Sequence, residues 1–401
     1  MGNDVARRLF RIDSPKRRII LIAVLLSLAS HAGCQPSEDD VRKALQRRGA
    51  IGDEPVVTDV HAAESNITDD DLRGIGRLQS IKVVALSNTA ITDKALRHIG
   101  QLENLEVLRL ESCNVTDAGM ESLKGLQKLR ELDISLTRVG DGGCESLARL
   151  KSLKKLDMIS TQVTDAGLSA LAPLTALEQL NLAGTKVTGA DLSALRAMSK
   201  LRSLALPDAV IDDKVMERLA EISSLELLSL SDSQITDKGM KSVAKLTKLR
   251  ALNVPKQVTD TGLLDLAPLK NMKWLRLDET KITDRGLAVC DAMTSLQELS
   301  LSETAIRGEG LKSLKHCSGL RVLDLAKTSV TNDSLASLEG LPIEDLNLED
   351  TPITDDAVSH LVRLKRLKQL YIAHTKISKE GRMRLMRAFP NLFLSPLLPP
   401  D

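Results

Sequence analysis

The sequence predicts an α/β solenoid in which each coil contributes one helix, one turn and one strand, and the strands stack into a single parallel sheet. Three observations carry that reading. An Ile or Val, followed in most cases by Thr-Asp, recurs from Ile67 through Ile91 and Val115 to Ile377, all but two of the intervals being 24 residues and those two 23. Within one unit the apolar spacing changes. From Met120 through Leu123, Leu126 and Leu129 it steps by three, and then Leu132 and Ile134 alternate with polar residues, which is one face of a short helix followed by a strand. Finally, the 401 residues include only one Trp, one Tyr and three Phe, so the interior has to be aliphatic, chiefly leucine.

At the N-terminus, Arg7, Arg8, Arg11, Lys16, Arg17 and Arg18 precede an apolar run from Ile19 to Ala29. That is the order of a secretory signal, and the run is shorter than the ~17 to 25 residues of a spanning helix. Residues 1–33 are therefore expected to serve export. Ala32-Gly33-Cys34 resembles the end of a bacterial lipoprotein signal, which implies lipidation at Cys34. Ser30 and Ala32 also suit ordinary cleavage after Ala32, and an uncleaved anchor is the third outcome. The expected address is periplasmic or extracellular, with membrane contact only through Cys34.

Residues 34–55 read as a tether that includes a capping helix over 38–48. The repeat domain spans 56–394, with Val57 to Ala62 as its first strand and about fourteen strands in all, and 395–401 is a Pro-rich tail. In each unit a Thr such as Thr92, Thr116 or Thr164 stands where a helix begins and can accept from its orphan N–H groups, and the Asp after it suits the positive end of the helix. A Gly four residues past the anchor (Gly119, Gly143, Gly262) lowers helix propensity and points to close approach between neighbouring turns. One unit buries too few aliphatics to offset the ordering of its backbone, so stacking is obligatory.

The pattern Leu-x-x-Leu-x-Leu-x-x-Thr-x-Ile-Thr-Asp-x-Gly-Leu resembles leucine-rich repeats of the cysteine-containing subclass, with Thr mostly in the Cys/Asn position. The resemblance covers about residues 56–394. It implies a right-handed β-α superhelix, a horseshoe with a concave parallel sheet and convex helices, and a role in binding proteins or peptides. It also implies that the Cys/Asn-position side chains bond the backbone of adjacent coils. Thr89, Thr137 and Thr161 would belong to such a hydroxyl ladder, weakened at Cys113, Ala209 and Ser233.

Candidate chemistry is sparse. Cys144, Cys290 and Cys317 fall on Leu positions and no CxxC occurs, so buried free thiols are expected, without redox exchange or structural zinc. The histidines are scattered over different repeats. Glu303, Lys327, Asp350 and His374 form a strand-exit column that cross-strand pairing explains without catalysis. The repeated Asp residues are alike in context, and none is set apart as a catalytic pair would be. Neither an enzyme, a metal site nor a cofactor is expected.

The outward strand positions are the surface left to carry function. Lys and Arg number 55 against 54 Asp and Glu in the whole chain, so nucleic acid is not the expected partner. The charged residues among the outward positions are nevertheless mostly acidic, including Glu131, Asp133, Asp278, Glu298 and Asp324, against three basic residues, Arg109, Lys155 and Arg276. A protein or peptide with a basic patch is the expected partner of a monomeric scaffold. Trp274, Arg276 and Asp278 share one row, with Glu298 and Asp324 beside it, and Trp and Arg are enriched in binding hot spots. Arg109, Glu131 and Asp133 form a second candidate group. Two rivals are a structural envelope lipoprotein that packs laterally through its Lys/Arg-bearing helical side, and an intracellular adaptor of the F-box type, for which residues 35–56 are too short to add the extra domain.

Overall fold

The computed structural model describes residues 36–52, 56–207 and 210–395. The signal segment, Cys34, Ala209 and the tail after Ser395 lie outside the described residues.

Every strand is three residues long, with the middle residue buried and its neighbours turned outward. They are β1 (Asp59–His61), β2 (Val83–Ala85), β3 (Val107–Arg109), β4 (Glu131–Asp133), β5 (Lys155–Asp157), β6 (Gln179–Asn181), β7 (Ser203–Ala205) and β8 (Leu227–Ser229). Then follow β9 (Ala251–Asn253), β10 (Trp274–Arg276), β11 (Glu298–Ser300), β12 (Val322–Asp324), β13 (Asp345–Asn347), β14 (Gln369–Tyr371) and β15 (Phe393–Ser395). They form one parallel sheet in chain order. Parallel neighbours need a crossover, and the helical half of each unit supplies it. The strand count is fifteen, one more than the repeat suggested, because Phe393, Leu394 and Ser395 pair with Gln369, Leu370 and Tyr371. Ser395 thus belongs to the sheet rather than to the tail.

The register repeats the sequence period. Leu108, Leu132 and Leu156 are matched partners across β3, β4 and β5 and are buried, and the same column runs on to Leu394. Behind the sheet, Leu, Ile, Val and Met from the helical halves complete one continuous aliphatic core. Helix Glu38–Arg47 closes its first end with Val41 and Leu45, and His61 N–H donates to Ala50 O (2.8 Å) on the outer side of β1. Crossovers are α-helical in coils such as Asp93–Ile99 and Asp213–Leu219 but tighten to 3-10 turns at Gly286–Ala292, Glu309–His316 and Asp333–Leu338.

Polar side chains recur at fixed places within and between the coils. Thr92 accepts from Lys94 N–H as a helix cap, while the Asp of the preceding coil does more than favour a helix start. Asp69 accepts from both Thr92 N–H (2.8 Å) and the Thr92 hydroxyl (2.6 Å). The same double clasp joins Asp93 to Thr116, Asp141 to Thr164 and Asp260 to Thr283. The repeated Gly makes room for it: a Cβ on Gly262 would stand 2.5 Å from Asp237 Oδ1. At the Cys/Asn position the structure corrects the expected ladder. The Thr89, Thr137 and Thr161 hydroxyls donate to Leu86, Ile134 and Met158 carbonyls of their own coils (2.6 to 2.8 Å), so their strongest bonds lie within a coil rather than between coils. Cys113 does reach across, with Sγ 3.1 Å from Leu86 O.

Candidate protein-binding face

Leucine fixes the parity of each strand, so the residues on either side of it share the open face of the sheet. Through the ladder Trp274 is matched with Glu298, Glu298 with Val322, and Val322 with Asp345. One residue further along, Arg276 is matched with Ser300, and Ser300 with Asp324. Trp274 is half-buried between neighbouring rows while Arg276 is exposed. The structure thus brings Trp274, Arg276, Asp278, Glu298 and Asp324 together. Trp274, Glu298, Val322, Asp345 and Gln369, with Arg321, Glu344 and Lys368 at the strand starts, line a shallow depression of about 330 Å³.

The carboxylates here are held in two ways. Asp278 accepts from Ser302 N–H (3.0 Å) and from the Ser300 hydroxyl, and Asp324 accepts from Ala326 N–H (2.9 Å). Burial nevertheless pushes the Asp324 carboxyl above the usual Asp range, and the nearby Asp278 charge pushes the same way. Asp345 is raised too, by burial first and then by Asp324 and Glu298. Two buried carboxyls displaced upward, with neighbouring carboxylates adding to the effect of burial, mark a surplus of negative charge on this part of the face.

Arg109, Glu131 and Asp133 lie on the same face but elsewhere along it. Arg109 Nη2 stands 3.6 Å from Glu131 Oε2 across β3 and β4, and Asp133 accepts from Ser135 N–H (2.9 Å). The six strand steps from β4 to β10 place this group ~29 Å from Trp274. The two groups are therefore separate patches. Between them lie the small or uncharged Ser203, Ala205 and Ser229.

Asp345 and the residues at the strand starts were missed as site members by ranking rows on Trp and Arg alone. A signal was available: Glu344 and Lys368 occupy the repeat position just before the strand, where they pair (2.6 Å) beside the depression. In the strand-exit column, Lys327 pairs with Glu303 (2.6 Å) and His374 with Asp350 (3.0 Å). The described cysteines are free and buried, and burial raises Cys317 to about 11 and Cys144 and Cys290 further still. Among the described residues no helix is long and apolar enough to cross a membrane, and no His, Cys, Asp and Glu side chains group as metal ligands.

Comparison with known proteins bears on the fold. The family described as "Leucine-rich repeat region" matches residues 65–258, and "Leucine Rich repeat" matches 292–315. No curated protein matches the chain. Among solved structures, an internalin (InlF) from Listeria monocytogenes is 23% identical with a TM-score of 0.63, covering 90% of this chain and 94% of its own. A leucine-rich-repeat protein of Leptospira interrogans is 18% identical with a TM-score of 0.56, covering 80% and 85%. TLR13, in its complex with ssRNA13, is 18% identical with a TM-score of 0.57, covering 87% and 61%. At these identities the likeness is one of fold. With its period, its in-register parallel sheet and these matches, the chain belongs to the leucine-rich-repeat family.

Proposed function

We propose that this protein is an exported, non-enzymatic scaffold that binds a protein or peptide through the concave face of its sheet, with the patch around Trp274 and Arg276 as the principal contact. The observation that carries the reading is the juxtaposition of an aromatic ring, a guanidinium and several carboxylates on one open strand face, two of those carboxylates being displaced upward in pKa. A leucine-rich-repeat scaffold suits such a role, and the surplus carboxylates suit a partner with a basic patch. They disfavour a polyanion like the RNA seen with TLR13. The patch at Arg109, Glu131 and Asp133 is the second contact. Export rests on the charge-then-apolar order of residues 1–33 and the lipid anchor on Cys34.

Alanine at Trp274 or Arg276 is expected to weaken the partner recovered from the exported fraction about ten-fold or more, with the thermal midpoint unchanged. Full affinity in both variants overturns the site. Mass spectrometry of the mature N-terminus decides the address separately, an acylated Cys34 supporting the anchor and a chain starting at Gly33 excluding it.

A further inference from the structure

The two ends of the solenoid are finished differently. At the first end, helix Glu38–Arg47 lies against the opening coil and buries Val41 and Leu45 there. Among the described residues no helix follows the last strand. Met386, Phe389, Leu392 and Phe393 run from the last helix (Lys379–Ala388) through its final turn into β15, and none of the four is fully buried, whereas Leu364 and Leu367 of the coil before are. Met386 is 42% and Phe393 53% exposed. The Phe393 ring leans on Tyr371, with centroids 5.8 Å apart.

Positive charge gathers at the same end. Residues 363–395 hold nine Lys and Arg and a single acid, Glu380, in a chain whose totals are 55 and 54. Part of this follows the pattern of the other coils, since Arg363 and Lys368 pair with Glu339 and Glu344. The last helix departs from it. Lys379, Arg382, Arg384 and Arg387 against Glu380 give that helix net +3, while no other described helical segment exceeds +1. Helix direction does not account for this, because Lys379 opens the helix, where a cation is disfavoured. Nor does the clasp. With no coil beyond it, the last unit needs no Asp at the place Lys379 takes, which explains one missing carboxylate but not four added cations. Arg384 and Arg387 are exposed and form no ion pair among the described residues, Arg384 acting on Asp355 only from a distance.

We propose that this end of the solenoid docks on an anionic lipid surface, Arg384 and Arg387 meeting headgroup phosphates while Met386 and Phe393 enter the acyl boundary. Apolar tips interleaved with arginines are what an interfacial segment presents, and each cation near such a surface adds to the binding. A second copy set end to end would bring two basic helices together, and a basic protein would be repelled. An acidic polypeptide would pair the arginines but leave Met386 and Phe393 without a role. A bilayer takes both. The contact does not rest on the concave-face reading, since β15 lies five strands beyond Trp274, ~24 Å along the sheet. It is also at the opposite end from the helix that follows Cys34, so it adds a second membrane contact to the one expected from sequence.

The test puts the reporter at the end itself. In the full chain, Trp274→Phe with Phe393→Trp leaves one indole, at the start of β15. Its emission is expected to be quenched by vesicles of brominated phosphatidylcholine containing about 30% phosphatidylglycerol, and to be unchanged by brominated phosphatidylcholine alone. Trp274 of the wild type is expected to stay unquenched on both. Adding Arg384→Gln and Arg387→Gln is expected to shift the quenching titration to about ten-fold more lipid or beyond, with the thermal midpoint near that of the parent, and about 0.5 M salt is expected to weaken it likewise. The readout is local, so vesicle binding through residues 1–34 does not imitate it. An indole quenched alike on neutral vesicles, or on neither kind, overturns the proposal. So does quenching that survives the loss of both arginines, an equal response at Trp274, an emission that answers polyglutamate but not vesicles, or quenching that appears only after residues 396–401 are removed.

Discussion

Asp93 and Thr116, 23 residues apart, are joined twice: the Thr116 N–H and hydroxyl donate to the two carboxylate oxygens of Asp93 at 2.8 and 2.7 Å. The clasp locks one helix start to the next, so the Thr-Asp dipeptide serves two coils at once, with Thr pointing back and Asp pointing forward. Removing the acceptor leaves both donors in a partly buried seam. Asp93→Ala is expected to lower stability by about 1 to 3 kcal/mol, read by denaturant unfolding, and an unchanged midpoint would contradict the role.

The glycine beside the Asp237–Thr259 clasp is a space requirement. A Cβ on Gly262 would meet Asp237 Oδ1 at 2.5 Å and Asp237 Cα at 2.9 Å, whereas one on Gly125 finds no atom nearer than 4.0 Å. Gly262→Ala is expected to cost about 1 to 3 kcal/mol through overpacking. Gly125→Ala is expected to stay within about 0.5 kcal/mol of the wild type. Equal thermal midpoints for the two variants would remove the steric explanation.

Ser233 stands where most coils have Thr, and its buried hydroxyl finds no partner, while the Thr280 hydroxyl donates to Leu277 O at 2.6 Å. Removing an unpaired hydroxyl costs little, whereas removing a paired one loses a buried hydrogen bond, the Leu277 carbonyl keeping Thr280 N–H at 3.2 Å. Ser233→Ala is expected to be neutral or stabilising, and Thr280→Ala to cost about 0.5 to 1.5 kcal/mol. Calorimetry of the two variants checks the order, and the reverse order would contradict it.

Asp324 and Asp345 have folded pKa values above the ordinary Asp range. Between the unfolded value near ~3.9 and the raised folded value, the native state holds more protons than the unfolded chain. The contribution of these two groups therefore falls as pH rises through that window and is least favourable above it. Asp345→Asn is expected to flatten this part of the profile and to raise the thermal midpoint at neutral pH. A lower midpoint there, or an unchanged profile in mildly acidic solution, would contradict the reading.

The period, helix-to-strand order and leucine columns were legible because each depends on local spacing, and the family resemblance rested on the same residues. Leu132 declares its burial by standing between Glu131 and Asp133. The clasp was not legible: Asp after Thr suits a helix start whether or not it reaches the next coil, and only the stacking distance brings Asp93 to Thr116. The ladder expectation failed because the Thr89 hydroxyl donates to the Leu86 carbonyl three residues back, a local turn geometry that the repeat spacing does not declare. At the site, parity placed Trp274 and Arg276 on one face, but the upward displacement of Asp345 depends on its burial and then on the closeness of Asp324 and Glu298, which follow from the packing and register of the sheet.

Trp274 is the only tryptophan in the chain, so its emission reports on the proposed contact without labelling. Titration with an arginine-rich peptide is expected to give a saturable change in that emission. The response should weaken with salt, be reduced in Glu298→Gln and Asp345→Asn, and be absent with an acidic peptide of equal length. An emission that ignores the basic peptide, or answers both peptides alike, would contradict the assignment of this face as an acidic docking surface.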